Sequence, residues 1–313
     1  MLSVLIPTYN ADCRPLVERV QRSAERCGLA YEIVVADDAS PQLAFREKNR
    51  CIADRPHCRY LALEHNVGPA RLRNYLVSQA RYAYLLFLDA DVMPVSDDFI
   101  GNYWKTVQSF RGAAGDAGND AEEPLSVVCG GFVYPRREVP AQSVLRYRYG
   151  IRVEERTAAQ RAGMPYGNFN SMNFLASRSC FERVQFDLAF HLGYEDTLFG
   201  MRLAEAHIPV RHIDNPVYHL VVEDSAAYLR KIERAVRNLI GWEHTLKAYV
   251  RLLQWYDRLN RFGLAAPVAG LFRLAEKAVA RQLCGRRPSL KLFAFYKLGY
   301  FCAVKRRTDY TQS

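Results

Sequence analysis

Short apolar segments alternate with helix-like segments through the first half of the chain, and this alternation constrains the fold more than any other feature. The predicted strands are Leu2–Pro7, Glu32–Asp37, Arg59–Ala62 and Tyr84–Leu88. Apolar residues at helical spacing follow the first strand, and a second helix is predicted over Gly68–Ala80. Strands joined by crossover helices predict an α/β fold around a mostly parallel sheet.

Two clusters of acidic residues follow directly on predicted strands. Asp37-Asp38 ends the second strand, and Asp89-Ala90-Asp91 ends the strand Tyr84–Leu88. Ligands bind open α/β sheets at the carboxyl edge of the strands. Carboxylates one residue apart on a turn can hold a hard divalent cation beside phosphate oxygens, whereas an isolated pair of this kind is also common as a helix cap.

The positive charge of the chain lies entirely in its last third. The 313 residues carry a net charge of +10, with half of the residues hydrophobic and 24% charged, as in globular proteins. Residues 225–313 hold 18 Lys and Arg but only 5 Asp and Glu, so residues 1–224 are slightly acidic. We therefore predict a catalytic or binding domain over 1–224 and a cationic helical region over 225–313.

The cysteines and the N-terminus indicate a reducing compartment. The eight cysteines contain no C-x-x-C pair, which favours reduced thiols over a zinc site or a disulfide framework. The first ten residues, MLSVLIPTYN, have no basic region before their apolar run, so they are not typical of a signal peptide. No apolar segment is long enough to cross a membrane, and we expect a cytosolic protein.

Four motifs occur in a fixed order before residue 92. They are LSVLIPTYN at the start, the Asp37-Asp38 turn, NVGPARLRN at 66–74 and the Asp89-Ala90-Asp91 turn. This ordered set resembles the family 2 glycosyltransferases, which are inverting, nucleotide-sugar-dependent enzymes of the GT-A fold. The resemblance covers about residues 1–220.

The resemblance implies a nucleotide site at the carboxyl edge of the sheet. The residues that it places against the base, ribose or diphosphate are Pro7, Thr8, Tyr9, Asp37, Asp38, Arg73 and Asp89, with Arg71 as a second cation. The chemistry agrees, since an aromatic ring, carboxylates and guanidinium groups match a base, a diol and a diphosphate. Taken singly, Arg73 is equally typical of a helix surface and Tyr9 of a core.

The same resemblance implies a metal site and a catalytic base. Asp91 and Asp89 would hold Mn²⁺ or Mg²⁺, and His219 matches a late histidine ligand of GT-A enzymes, although a lone histidine is often structural. Glu195 and Asp196 begin a predicted helix, where acids also complement the helix dipole. In the family, the Asp of such a pair is the base, which assigns that role to Asp196, with Glu195 shaping the pocket or holding an acceptor hydroxyl.

Several segments keep two interpretations. Gly130-Gly131 and Asn170–Phe174 either line the sugar and acceptor sites or pack at strand ends. Residues 111–124 predict a mobile insertion, and the structure of 139–163 is not predicted by any pattern. The last apolar stretch, which includes Leu290, Leu292, Phe293, Phe295 and Phe301, either lies on an anionic membrane or packs on the domain.

Together these features predict an inverting, metal-dependent glycosyltransferase that serves glycan or polysaccharide assembly. A UDP-sugar is the favoured donor and a saccharide or lipid-linked saccharide the acceptor. The protein would be cytoplasmic, with a peripheral position on the inner membrane face as one option, and no nucleic-acid module accompanies its charge. A nucleotidyltransferase of related fold and a non-catalytic binding module are the alternatives, and only the glycosyltransferase requires a base at Asp196.

Overall fold

A computed structural model describes residues 1–113, 126–188 and 193–312. The strands are β1 (Leu2–Thr8), β2 (Tyr31–Asp37), β3 (Cys58–Ala62), β4 (Tyr84–Leu88), β5 (Val92–Pro94), β6 (Val127–Cys129), β7 (Phe132–Val133), β8 (Asn173–Ser177), β9 (Val210–His212) and β10 (Val217–His219). The helices are α1 (Arg14–Arg26), α2 (Leu43–Arg50), α3 (Pro69–Gln79), α4 (Phe99–Ala113), α5 (Val144–Tyr149), α6 (Ala158–Ala162), α7 (Arg178–Arg183), α8 (Glu195–Glu205), α9 (Ser225–Asn238), α10 (Glu243–Leu246), α11 (Arg251–Arg261), α12 (Ala265–Leu283) and α13 (Leu290–Gln312).

The strands of the first half form the predicted, mostly parallel sheet. Its order in the described residues is β3-β2-β1-β4-β8-β6-β9. Strands β1 to β4 pair in parallel, and β8 runs antiparallel to both of its neighbours. The carboxyl ends of β1, β2 and β4 therefore meet at one edge, where the two acidic turns begin.

Alternating side chains of the central strands pack into two separate cores. Val4 and Ile6 of β1 join a cluster that includes residues of α1 and α4, such as Val17 and Tyr103. Leu5 joins the opposite cluster, with residues of α3 and α8. Because both faces are covered, apolar residues predominate in these strands, and this pattern made the strands predictable from the sequence.

A second, small sheet lies in the order β5-β10-β7 within the described residues. β10 pairs antiparallel with β5, which sets His219 opposite Val92, and parallel with β7. The backbone N–H of Leu220 also donates to the Asp91 carbonyl over 3.0 Å. This pairing carries the chain after the Asp89-Ala90-Asp91 turn alongside His219.

The chain divides into two compact units. The first contains residues 1–135, 155–191 and 198–221, and the second contains 136–154, 192–197 and 222–313. The helical region predicted from residue 225 is present as α9 to α13. The structure differs from the predicted boundary at 224 by adding two earlier segments to the second unit.

Within the second unit, the last helix supplies core side chains. Phe293 and Phe301 of α13 are fully buried, and Phe272 of α12 lies in contact with Tyr296 and Tyr300. Leu290, Leu292 and Phe295 are partly buried. Phe293 and Phe301 therefore fit the packing alternative, whereas membrane contact through the partly buried Leu290, Leu292 and Phe295 stays a prediction.

Other expectations have simple outcomes. All eight cysteines are free thiols. In the described ranges, no helix is both long and apolar enough to cross a membrane. Residues 111–113 finish α4, and the rest of the predicted insertion lies outside the described residues.

Candidate active site

The end of β1 brings Pro7, Thr8 and Tyr9 to the carboxyl edge of the sheet. Thr8 is buried, and its carbonyl accepts a hydrogen bond from the Asp38 N–H over 2.9 Å. The side chain of Tyr9 leaves the core and is 51% exposed. An exposed ring at this edge is available for stacking on a flat base.

Asp37 stabilises the turn in which it lies. It is fully buried, its Oδ1 accepts from the Ser40 N–H over 2.7 Å, and its Oδ2 accepts from the Tyr60 hydroxyl over 3.0 Å. Burial, followed by this hydrogen bond, raises the pKa of Tyr60, so Tyr60 remains a donor at neutral pH.

Asp38 joins the second strand to the start of α3. Its two carboxylate oxygens accept from the backbone N–H groups of Val67 and Gly68 over 2.7 and 3.0 Å. Gly68 has a φ of +83° and precedes Pro69, the first residue of α3. Glycine adopts this conformation without the steric penalty of a Cβ, so Asp38 and Gly68 together fix where α3 begins.

Arg73 of α3 is buried and pairs with Asp89. Its Nη2 lies 2.7 Å from Asp89 Oδ1, and its guanidinium lies 5.5 Å from the centre of the Phe186 ring. Burial raises the pKa of Asp89, while Arg73 acts in the opposite direction. The predicted second cation, Arg71, is exposed on the same helix.

Asn74 holds the segment that carries Phe186. Its side-chain amide donates to the Phe186 carbonyl over 2.9 Å and accepts from the Phe186 N–H over 3.0 Å. The Phe186 ring stacks on Phe199, with centres 4.2 Å apart. Sequence reasoning missed Phe186, because the contact joins residues 112 positions apart.

Asp91 and His219 form the pair that the sequence predicted as metal ligands. Asp91 Oδ2 lies 3.2 Å from His219 Nε2, and His219 Nδ1 lies 3.2 Å from the hydroxyl of Tyr134. His219 and Tyr134 are buried, while the Asp91 side chain is 33% exposed. When Nδ1 carries the ring proton it donates to Tyr134, and the Nε2 lone pair then faces Asp91.

These residues fit a divalent cation as a two-residue site. A carboxylate oxygen and an imidazole nitrogen at this separation are both ligands that Mn²⁺ accepts. The Asp89 carboxylate lies against the Arg73 guanidinium over 2.7 Å. Across the residues that the structure describes, no three His, Cys, Asp or Glu side chains form a ligand cluster. Asp91 and His219 are therefore the predicted ligands that the structure brings together, and the role of Asp89 as a third ligand stays a prediction.

Glu195 and Asp196 occupy the first turn of α8, as predicted, and belong to the second unit. Gly193 and Tyr194 before them both have left-handed backbone, with φ of +78° and +70°. Tyr194 takes this conformation at a steric cost that residues at functional sites often carry. The buried Glu195 Oε2 accepts no hydrogen bond within the described part of the chain.

Protein side chains fill the space beside Gly130 and Gly131. Asn173 Nδ2 donates to the Gly131 carbonyl over 2.8 Å, and the Arg161 guanidinium donates to the Gly130 carbonyl over 3.2 Å. A Cβ at either glycine would overlap these side chains. The contacts support the strand-end packing interpretation of both glycines and of Asn173.

A sequence model described as Glycosyl transferase family 2 matches residues 3–109. No curated protein matches the chain in sequence.

Among solved structures, a mannosyltransferase from Pyrobaculum calidifontis, in complex with GDP-Man and Mn²⁺, superposes with a TM-score of 0.60 at 17% identity, covering 100% of this chain and 88% of that one. TarS from S. aureus gives a TM-score of 0.47 at 18% identity, and the superposed part covers 76% of this chain and 39% of the TarS chain. TarS 1–349 in complex with UDP-GlcNAc gives a TM-score of 0.46 at 16% identity, covering 98% and 92%.

The mannosyltransferase likeness extends over the whole chain and shows the fold. The family match covers the segment that carries β1, β2, β4 and both acidic turns. The resemblance seen in the sequence is thereby confirmed: residues 3–109 match the model of the family 2 glycosyltransferases, and the fold is that of GT-A enzymes.

Proposed function

We propose that the protein transfers one sugar, with inversion, from a nucleoside diphosphate sugar to an acceptor hydroxyl. The observation that carries the proposal is the Asp91–His219 pair beside the carboxyl edge of the sheet. Two ligands of this kind leave coordination positions for the diphosphate oxygens of a donor. A UDP-sugar is the favoured donor, and the solved neighbours were determined with UDP-GlcNAc or GDP-Man.

The donor would be bound by groups from two strand ends and from helix α3. The exposed ring of Tyr9 offers a stacking surface for the base, and the turn of Asp37 and Asp38 would face the base or ribose. Both carboxylates already accept protein hydrogen bonds, so in this proposal they use their remaining lone pairs. The exposed Arg71 would attract the diphosphate.

A bound Mn²⁺ or Mg²⁺ would neutralise the negative charge that grows on the departing diphosphate. Asp91 and His219 would hold it, and the Tyr134 hydroxyl would orient the imidazole. Arg73 keeps Asp89 in place beside this site.

The proposal assigns proton removal to Asp196. As the acceptor oxygen forms its bond to the anomeric carbon, its proton passes to the Asp196 carboxylate. The bond between the anomeric carbon and the diphosphate oxygen breaks with its electron pair, and the nucleoside diphosphate leaves from the opposite face. One such displacement inverts the anomeric centre. Glu195, which has a buried oxygen available, would hold an acceptor hydroxyl.

The proposed acceptor is a saccharide or a lipid-linked saccharide, which supplies the hydroxyl. The proposed setting is glycan or polysaccharide assembly on the cytoplasmic side. A nucleotidyltransferase would instead release pyrophosphate from a nucleoside triphosphate and a sugar phosphate. A binding module would bind the donor without hydrolysing it.

A donor panel tests the proposal. We expect one nucleoside diphosphate sugar to raise the melting temperature with Mn²⁺ and to be slowly hydrolysed, since a ligand at 100 times its Kd stabilises by about 2.7 kcal/mol. Asp91→Ala should melt like wild type alone but lose the Mn²⁺-dependent rise. Asp97→Ala, at an exposed carboxylate, is the matched control. Undiminished donor hydrolysis in excess EDTA, or pyrophosphate release from triphosphates, would contradict the proposal.

A further inference from the structure

Helix α12 of the second unit has two apolar faces on opposite sides. Ala269, Phe272 and Val279 of one face are buried in the unit. At 100° per residue, Leu271 and Leu274 lie on the other side, and they are 58% and 89% exposed. A helix whose outward face is also apolar is not explained by packing within its own unit.

Exposed apolar side chains also occur near the end of α11 and in the turn that leads to α12. Leu264, just before α12, is 47% exposed, and Phe262 in the turn between the helices is 78% exposed. About two turns earlier, on α11, Trp255 is 55% exposed, and the Arg258 guanidinium lies 5.2 Å from the centre of its ring. We call the five side chains Trp255, Phe262, Leu264, Leu271 and Leu274 the α11–α12 surface.

The charges around the α11–α12 surface have one sign. The exposed charged residues between positions 251 and 281 are all cations: Arg251, Arg258, Arg261, Arg273, Lys277 and Arg281. The two acids of this stretch are less exposed. Asp257 pairs with Lys247 and Arg261 over 2.8 and 2.9 Å, and Glu276 is partly buried.

We propose that the α11–α12 surface binds an anionic lipid bilayer, lying in its interface. Leucine and phenylalanine side chains enter the acyl boundary, tryptophan favours the headgroup level, and arginine and lysine extend toward lipid phosphates. The excess of positive charge favours phosphate headgroups and opposes contact between two copies of this surface. The inference concerns the second unit alone and does not depend on the transfer chemistry.

The test measures binding of the full-length protein to vesicles. We expect it to float with vesicles of equal parts phosphatidylcholine and phosphatidylglycerol, and not with phosphatidylcholine alone. The double variant Leu271→Gln/Leu274→Gln should bind at least about ten-fold more weakly, because two apolar side chains no longer transfer from water. Leu43→Gln, at a leucine 63% exposed in the first unit, should bind like wild type.

The charge contribution has its own variants. Lys277→Gln/Arg281→Gln should weaken binding to anionic vesicles about ten-fold or more and reduce its salt dependence. Lys48→Gln/Arg50→Gln removes two exposed cations from the first unit and should leave binding unchanged. Since all of these side chains are exposed, the variants should keep the melting temperature of wild type.

A spectroscopic measurement locates the contact. Lipids brominated in their acyl chains should quench the fluorescence of Trp255, and Trp255→Phe should abolish this quenching while the other two tryptophans remain. The proposal is overturned if wild type ignores anionic vesicles or if the leucine variants bind like wild type. It is equally overturned if quenching persists in Trp255→Phe, or if the leucine substitutions instead dissociate a dimer of the protein.

Discussion

Asp38 is predicted to stabilise the fold even when no nucleotide is bound. Its carboxylate accepts the N–H groups of Val67 and Gly68, thirty residues along the chain. Asp38→Asn replaces one acceptor oxygen with an NH₂ group that faces a backbone donor. Asp38→Ala removes both acceptor oxygens, so the two N–H groups lose their hydrogen-bond partners. The Asp38 residue that is replaced is only 3% exposed.

The size of the effect follows from these contacts. A fully buried donor left unsatisfied costs about 1–3 kcal/mol, and the hydrogen bonds from Val67 and Gly68 are only partly buried, so Asp38→Asn should lower the free energy of unfolding by about 1 kcal/mol. Asp38→Ala should lower it by about 2–4 kcal/mol, because two charge-assisted bonds are lost while the desolvation of the carboxylate is recovered. Asp98→Asn, at an exposed carboxylate that pairs with Arg26, should leave stability unchanged.

Urea unfolding followed by circular dichroism, without nucleotide or metal, measures these differences. The order expected for the urea midpoint is wild type, then Asp38→Asn, then Asp38→Ala. If Asp38→Ala unfolds at the midpoint of wild type and only donor binding is lost, the side chain serves the ligand alone and the structural role is refuted.

Two further predictions concern the core of the first unit. Tyr134→Phe should weaken Mn²⁺ binding about 10–100-fold, because His219 loses the hydroxyl that orients it. Electron paramagnetic resonance of free Mn²⁺ measures this affinity. Tyr103→Phe removes another buried hydroxyl and should leave the affinity unchanged, and equal affinities of the two variants would contradict the positioning role. Burial lowers the pKa of His212, whose Nδ1 accepts from Arg161, so folding stability should be full above about pH 6.5 and fall as the pH falls below it. His212→Gln should reduce this pH dependence in urea midpoints, and an unchanged slope would assign it to other groups.

The sheet and its acidic edge were predictable because the signals are local. Tyr84–Leu88 is a run of buried apolar residues, and the structure gives that strand the predicted bounds. Glu195 and Asp196 stand in the first turn of a helix, as their place before an amphipathic pattern predicted. Strand ends and helix starts depend on neighbouring residues, so one sequence is sufficient to predict them.

The partners of the site residues were not predictable, because they come from distant positions. The Asp37-Asp38 pair suggested that a ligand compensates the two negative charges. In the fold, backbone N–H groups and the Tyr60 hydroxyl already donate hydrogen bonds to these carboxylates. Asp89 was predicted as a metal ligand, and its salt bridge with Arg73 is visible only once α3 lies beside β4. Tyr134 lies in no recognisable motif. It comes close to His219 because β7, which ends just before Tyr134, pairs with β10 in the small sheet.

The second unit shows the same limit. Its helices were predicted from their periodicity, but the pattern does not tell which of two apolar faces is buried. In α13, Phe293 and Phe301 face inward, whereas in α12 Leu271 and Leu274 face solvent. Burial depends on which helices become neighbours, which is a property of the tertiary structure.

The central claim is that Asp196 removes the acceptor proton in a glycosyl transfer. Once the donor and an acceptor are known, the decisive measurement compares wild type and Asp196→Asn for donor affinity by calorimetry and for single-turnover transfer, with the anomeric configuration of the product read by NMR. The account predicts an inverted product from wild type, nearly unchanged donor affinity in Asp196→Asn, and transfer slower by about two to four orders of magnitude. A retained configuration, or transfer by Asp196→Asn at the rate of wild type, would contradict it.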